Sequence, residues 1–414
     1  MRRICAIAIL ALPVWLAAQD IQHETRTINI EIPVRVFRGD VFVDDLTKDD
    51  FEVYEDGRLQ TLEAVYLVKK TNIERREEAR PFSPQTSRHF YLFFEIAEYD
   101  PRLGEAIDYF VRTVLIPGDD LTIVTPMKSY RMKSETFSMV GRDKIFSQLL
   151  GILRRDTLIG NSEYRGVISD MTGLVKTMSS GISVTGDDPG VRASGGVDSF
   201  SGISTQYQGE SFEELLQTYA YLLDKLQSLR TVDQRRMLDF ATFLRDQPGQ
   251  KGIFLFYQRE FIPKIDSRIL NLYMSQYNDR PDILQTIQGL FDFYKRDTNL
   301  NVDIVKQAYS DASTAIHFLF ISTPAGNVPG VRMEEQSEDI YAPFREMARA
   351  TGGYSASSAN VTALMKDAVR AAENYYLLYY TPRDYKDDGQ FHTLQVRLKK
   401  PGLRTSHRSG YIAD

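Results

Sequence analysis

The 414-residue chain is 43% hydrophobic and 26% charged, a globular balance with apolar material for more than one core. A formal net charge of -6 and a pI of about 5.6 exclude the basic footprint that nucleic acid or an anionic membrane surface would require. The single cysteine, Cys5, and the single tryptophan, Trp15, both lie at the extreme N-terminus, so the remainder can form no disulfide and offers no thiol nucleophile.

Residues 1–19 (MRRICAIAILALPVWLAAQ) read as a secretory signal. Arg2 and Arg3 supply the positive start, Ile4–Leu16 the apolar run, and Ala17-Ala18-Gln19 the small-residue cleavage region. The run falls short of the roughly 20 apolar residues a bilayer span requires, and a polar, charged segment follows it. The expectation is cleavage and export, to the periplasm or the exterior, with no membrane span left afterwards. Cys5 opens the apolar run instead of following it, which is the wrong place for a lipid anchor.

Residues 20–80 are expected to be strands. Thr27–Phe37 alternates, with Ile28, Ile30, Ile32, Val34 and Val36 on one face. Phe51, Val53 and Glu55 lead into Asp56-Gly57, a two-residue hairpin signal, with Leu59–Val68 as the return strand. Ile73–Arg80 (IERREEAR) mixes charge signs and reads as a solvated connector.

From Arg88 to Ala372 the pattern changes. Phe90–Phe94, Leu121–Val124, Ile253–Tyr257 and Ile316–Ile321 are continuous apolar runs, the mark of strands covered on both faces. Helices separate them. Asp100-Pro101 opens one along Leu103, Ala106, Ile107, Phe110, Val111 and Val114. Ser211 and Glu214 form a capping box before Leu215. Thr231–Arg245, Asp339–Ala350 and Val361–Ala372, capped by Asn360, complete the set. This alternation predicts an α/β, doubly wound (Rossmann-like) domain over 88–372. The Gly- and Ser-rich stretch 179–209 reads as a loop excursion from it; it contains no Gly-Lys-Ser/Thr of a phosphate loop.

Residues 373–414 return to strands: Tyr375–Tyr380, Phe391–Leu398 and Arg404–Ile412. Neither terminal strand set is large enough to be stable alone. Both are therefore expected to combine in one small antiparallel β-sandwich, with the α/β domain inserted between them.

LTKDDFEVYEDG (Leu46–Gly57), ARATGGY (Ala348–Tyr354), YYLLYYTP (Tyr375–Pro382) and RSGY (Arg408–Tyr411) resemble the von Willebrand factor A-related proteins known mainly from Acidobacteria. The likeness covers most of the chain after the signal and is weakest over Thr125–Gln250. It implies an exported binding protein of that fold. In that fold a divalent cation is held by an Asp-x-Ser-x-Ser loop after the first strand, in the crevice where strand order reverses. The matching positions here are Glu95, Ala97 and Tyr99, so one carboxylate remains and both hydroxyl ligands are lost. The family's Thr-Asp in the facing loop is replaced by Tyr257-Gln258 or the nearby Arg259.

A hard cation needs several oxygen ligands, so this degenerate adhesion site is expected to bind no metal and no other cofactor. Glu95, Glu98, Asp100, Arg259 and Glu260 form the expected partner-binding rim, with the Arg259 guanidinium beside Glu95 in place of the ion. Catalysis is not expected. His23, His89, His317, His392 and His407 are scattered, and no Gly-x-Ser-x-Gly elbow occurs. His317 sits in an apolar run and reads as a packed core residue. The leading reading is a non-catalytic module for an unknown protein or cell-surface ligand. A structural or assembly subunit of an envelope complex is the alternative, and metal-dependent binding at a rebuilt site a second one.

Overall fold

The computed structural model describes residues 28–181, 207, 209–296, 298 and 300–414. The signal-like segment 1–19 and residues 182–206 and 208 of the 179–209 stretch lie outside the described residues. No helix among the described residues is long and apolar enough to cross a membrane. The architecture is mixed α/β.

The four continuous apolar runs lie within neighbouring strands of a six-stranded sheet. Its spatial order is Ser355–Ser358, Thr314–Ile321, Gln250–Gln258, Arg88–Glu95, Asp120–Val124 and Ser129–Met132. Every neighbouring pair is parallel except the last, which is an antiparallel edge. Arg88–Glu95 comes first in sequence yet lies between the second and the fourth, so the strand order reverses beside it. Thr314–Ile321 is buried at every position, which explains why it alternates nowhere. Leu92, Phe94, Phe254 and Phe256 pack with Arg102–Tyr109, Arg142–Gly160 and Val361–Ala372 on one face. Tyr91, Leu255 and Phe318 pack with Gln234–Arg245, Val302–Asp311 and Glu338–Ala350 on the other.

A separate core joins Ser162–Gly181, Phe212–Leu229 and Ser267–Gln276 with the two-stranded antiparallel sheet of Phe261–Ile265 and Val331–Glu335. The Ser211–Glu214 capping box and the Asn360 cap form as expected.

The chain's two ends pair with each other. Asn374–Tyr380 lies between Ile30–Arg38 and Leu62–Lys69, and Phe391–Leu398 pairs with Phe51–Glu55. Ile32, Val34, Phe51, Val53, Tyr376, Leu378, Leu394 and Val396 from both sheets share one core. Asp56 and Gly57 turn with φ of 47° and 78°, as the hairpin signal requires. Two local expectations are corrected. Leu59–Val68 is not one strand: Arg58–Gln60 pairs with Phe51–Glu55, and Leu62–Lys69 crosses to the other sheet. The charged stretch Ile73–Arg80 is no connector; Asn72–Glu78 is an edge strand alternating exposed and half-buried residues. Charge on an exposed edge blocks pairing with other chains.

The signature motifs converge where these terminal sheets meet the α/β core. Arg408 donates to the Ser310 and Asp311 carbonyls at the end of Val302–Asp311 and to the Glu31 carbonyl of the first terminal strand. Thr351 Oγ1 accepts the Ile316 N–H (3.1 Å), and the Ser409 N–H donates to the Ala350 carbonyl (2.7 Å). A side chain at Gly353 would collide with the Ile316 carbonyl, and one at Gly410 with that of His392. These motifs are joints.

His317 lies beside this seam, 1% exposed, accepting the Tyr354 N–H at Nδ1 (3.1 Å) and stacked on Phe254. Burial, reinforced by nearby Arg35, pushes its pKa from 6.5 down to about 3. Between those values the unfolded chain binds a proton that the native state refuses, so stability falls as pH falls. The limiting slope is about 1.4 kcal/mol per pH unit. His317→Asn keeps an acceptor near Nδ1. Urea denaturation of this variant should give a flatter stability profile than the wild type between pH 6 and pH 4; parallel profiles would refute the assignment.

Candidate functional site

The crevice at the strand reversal is bounded by the loops after Arg88–Glu95 and Gln250–Gln258. Glu95 and Tyr257 are partners in register, so the loops leave the sheet side by side. The Glu98 N–H donates to the Gln258 side-chain oxygen (2.9 Å) and ties them together. Glu98 itself is exposed. Asp100 accepts the Arg102 N–H (2.9 Å) and pairs with its guanidinium, the work of an acid at a helix start.

Two rim assignments are corrected. Glu260 is only 6% exposed and faces inward. Its carboxylate accepts from Tyr257 Oη (2.8 Å) and Arg296 (2.9 Å) and is ion-paired with Arg230 (2.9 Å), while its N–H donates to Ser337 Oγ (2.9 Å). Two guanidiniums and a phenol offset its desolvation, which is how a carboxylate remains in the interior. Arg259 is turned to Glu335 (3.2 Å) and lies against the Phe320 ring, not against Glu95. The long-range pairing of Phe261–Ile265 with Val331–Glu335, which no sequence pattern announced, supplies that competing carboxylate.

The positive charge acting on Glu95 is Arg230. Arg230 ends Phe212–Leu229 and stacks over Tyr164, its guanidinium carbon 4.1 Å from the ring centre. Desolvation is the largest influence and opposes its charge, but Glu260, Tyr164 and Tyr257 together outweigh it and its pKa is raised. Arg296 adds a two-pronged pair to Asp339 (2.5 and 2.8 Å) and a bond to the Gln336 carbonyl. Arg230, Arg296 and Asp339 escaped sequence reasoning because they lie 30 to 80 residues from Glu260 with no motif among them. The one available hint was a pair of arginines at helix or loop positions flanking the strand.

Glu95 behaves differently. Desolvation raises its pKa, Glu260 adds to the rise, and Arg230 only partly opposes it. No donor among the described residues bonds its carboxyl. It lines a cleft of about 280 Å³ between the sheet and Glu338–Ala350, walled by Phe93, Leu255, Tyr309, Ile340 and Phe344.

These residues do not fit a divalent cation. Ala97 offers no side-chain oxygen, and the Tyr99 ring lies under the Arg154 guanidinium. Gln258 accepts the Glu98 N–H, and Glu260 is held by two arginines. Among the described loop carboxylates only Glu95 and the exposed Glu98 lack a protein partner, and Arg230 sets a positive charge beside Glu95, where a hard cation needs six or more oxygens.

Among the described residues the cluster with metal-like spacing lies elsewhere: Glu55, Asp56 and His392. The Glu55 carboxylate accepts from Tyr380 (2.8 Å) and Tyr411 (2.9 Å). Asp56 Oδ1 accepts the Thr393 N–H (2.8 Å), and Oδ2 faces His392 Nδ1 (2.8 Å). Protein partners already occupy these donors and acceptors, and the cluster pins the Asp56-Gly57 turn to the C-terminal strand.

Comparison with family models, with curated proteins and with solved structures returns no match for this chain.

Proposed function

We propose that this chain is an exported, non-catalytic binding module: a von Willebrand factor A-type domain inserted in a β-sandwich built from both chain ends. It recognises a protein or cell-surface ligand at the crevice rim without a metal ion. The observation that carries this reading is the Glu260 centre, where two guanidiniums occupy the carboxylate that a cation would need. The strand order, with its reversal beside Arg88–Glu95, supports the fold assignment. The signal-like N-terminus supports export. Exposed Glu98 and the part-exposed Arg259–Glu335 pair present both charge signs to a partner.

Immobilised protein should retain the same discrete envelope protein in EDTA as in millimolar Mg²⁺. Charge reversal by Glu98→Arg together with Arg259→Glu should weaken that retention at least tenfold. Retention only in Mg²⁺ would contradict the proposal. Recovery of the chain solely in an assembly of fixed stoichiometry would favour an envelope subunit instead.

A further inference from the structure

The cleft beside Glu95 has two polar groups whose bonding is incomplete, and both belong to one end of it. The Glu95 carboxyl accepts from no described residue. Arg230 lines the same cleft, and its buried Nε–H has no acceptor among the described residues, although its Nη2 holds Glu260. A buried donor or acceptor left unpaired costs the protein stability, so such a pair beside an apolar cavity marks a place where a ligand completes the bonding. Phe93, Leu255, Ile340 and Phe344 give the cleft an apolar wall that offers no side-chain hydrogen bond, and Thr231, Asp233, Tyr257 and Tyr309 also line it.

We infer that this cleft binds an α-ammonium group with an adjacent carboxyl or carbonyl oxygen and a large apolar side chain. That is the chemistry of a free apolar amino acid or of the first residue of a peptide. The ammonium pairs with Glu95, the oxygen accepts from Arg230 Nε, and the side chain lies against Phe93, Leu255, Ile340 and Phe344. Volume agrees with the assignment. A cavity of 150 Å³ holds one benzene ring, so about 280 Å³ accommodates a body of about ten heavy atoms, the size of leucine or phenylalanine. Charge agrees as well. Glu260 beside Glu95 and Asp233 on the cleft lining repel a lone carboxylate, while Arg230 is already paired and disfavours a lone amine. A group carrying both signs satisfies each side. This site is recessed from the rim, and its occupation does not depend on macromolecular binding there.

Isothermal titration of the full chain with L-phenylalanine and with the dipeptide Phe-Ala tests the inference. Saturable binding of both indicates the peptide N-terminus, and binding of the amino acid alone indicates the free acid; either result supports it. N-acetyl-L-phenylalanine, lacking the ammonium, and phenethylamine, lacking the carboxyl, should each bind at least tenfold more weakly. Glu95→Gln should lower affinity at least tenfold while circular dichroism stays unchanged. Val232→Phe, which adds bulk to the cleft lining and leaves Glu95 intact, should do the same if Glu95→Gln fails to fold. Absence of binding at millimolar ligand would overturn the inference. So would equal affinity for the acetylated compound, or folded Glu95→Gln or Val232→Phe protein that binds like the wild type.

Discussion

Removal of Glu373–Asp414 is expected to unfold the N-terminal strands while leaving the central sheet largely formed. The deletion takes away Asn374–Tyr380, the strand that lies between Ile30–Arg38 and Leu62–Lys69. It also strips Tyr376, Leu378, Tyr380, Leu394, Val396 and Tyr411 from the shared core. At about 1.5–3 kcal/mol for each large side chain, the loss is about 10 kcal/mol, comparable with the whole stability of a typical domain. Neither core flanking the six-stranded sheet draws on residues beyond Val369 among its buried members. Limited proteolysis should therefore cut first within Ile30–Val68. Protection of that segment equal to the full chain's would show that the N-terminal strands stand alone.

Glu260→Ala is expected to cost about 3–5 kcal/mol, the range for removing one member of a buried ion pair. Arg296 keeps Asp339 and the Gln336 carbonyl. Arg230, with only 11% of its side chain exposed, keeps no carboxylate at bonding distance and faces Tyr164 alone. The double variant Glu260→Leu with Arg230→Leu removes both charges of that pair, and apolar replacement of a buried pair is often close to neutral. It should thus recover part of the loss. Urea denaturation of the three proteins measures this directly. A cost below about 1 kcal/mol for Glu260→Ala would place the network in the range of solvent-screened surface pairs.

What could be read from the sequence was whatever depends on local pattern. Unbroken apolar runs such as Phe90–Phe94 identified strands covered on both faces, and Asp56-Gly57 identified its hairpin. The pairing of the two chain ends followed from the inadequacy of either alone. Asn72–Glu78 was misread because, of its half-buried face, only Ile73 is apolar and Arg75 and Glu77 contribute charged stems, which carry no hydrophobic signal. At the site, the resemblance carried only the expectation that Glu95, Ala97 and Tyr99 do not form a metal loop, and nothing of the residues packed around them. Arg259 was the nearest cation in sequence, yet Glu335, 76 residues on by its number, captures it through a long-range strand pair with weak alternation. Arg230 and Arg296 reach Glu260 only through tertiary packing, and pairing at that range leaves no periodicity to read.

The most direct test of a metal-free crevice is the thermal midpoint of the wild-type protein in EDTA and in millimolar Mg²⁺. A cation bound at a hundredfold excess over its dissociation constant would add about 2.7 kcal/mol to native stability and raise the midpoint visibly. Equal midpoints are expected, because Glu95 and Glu98 offer too few oxygens to coordinate an ion and Arg230 already supplies positive charge beside Glu95. A clear rise in Mg²⁺ that Glu95→Ala abolishes would contradict this and establish a rebuilt cation site.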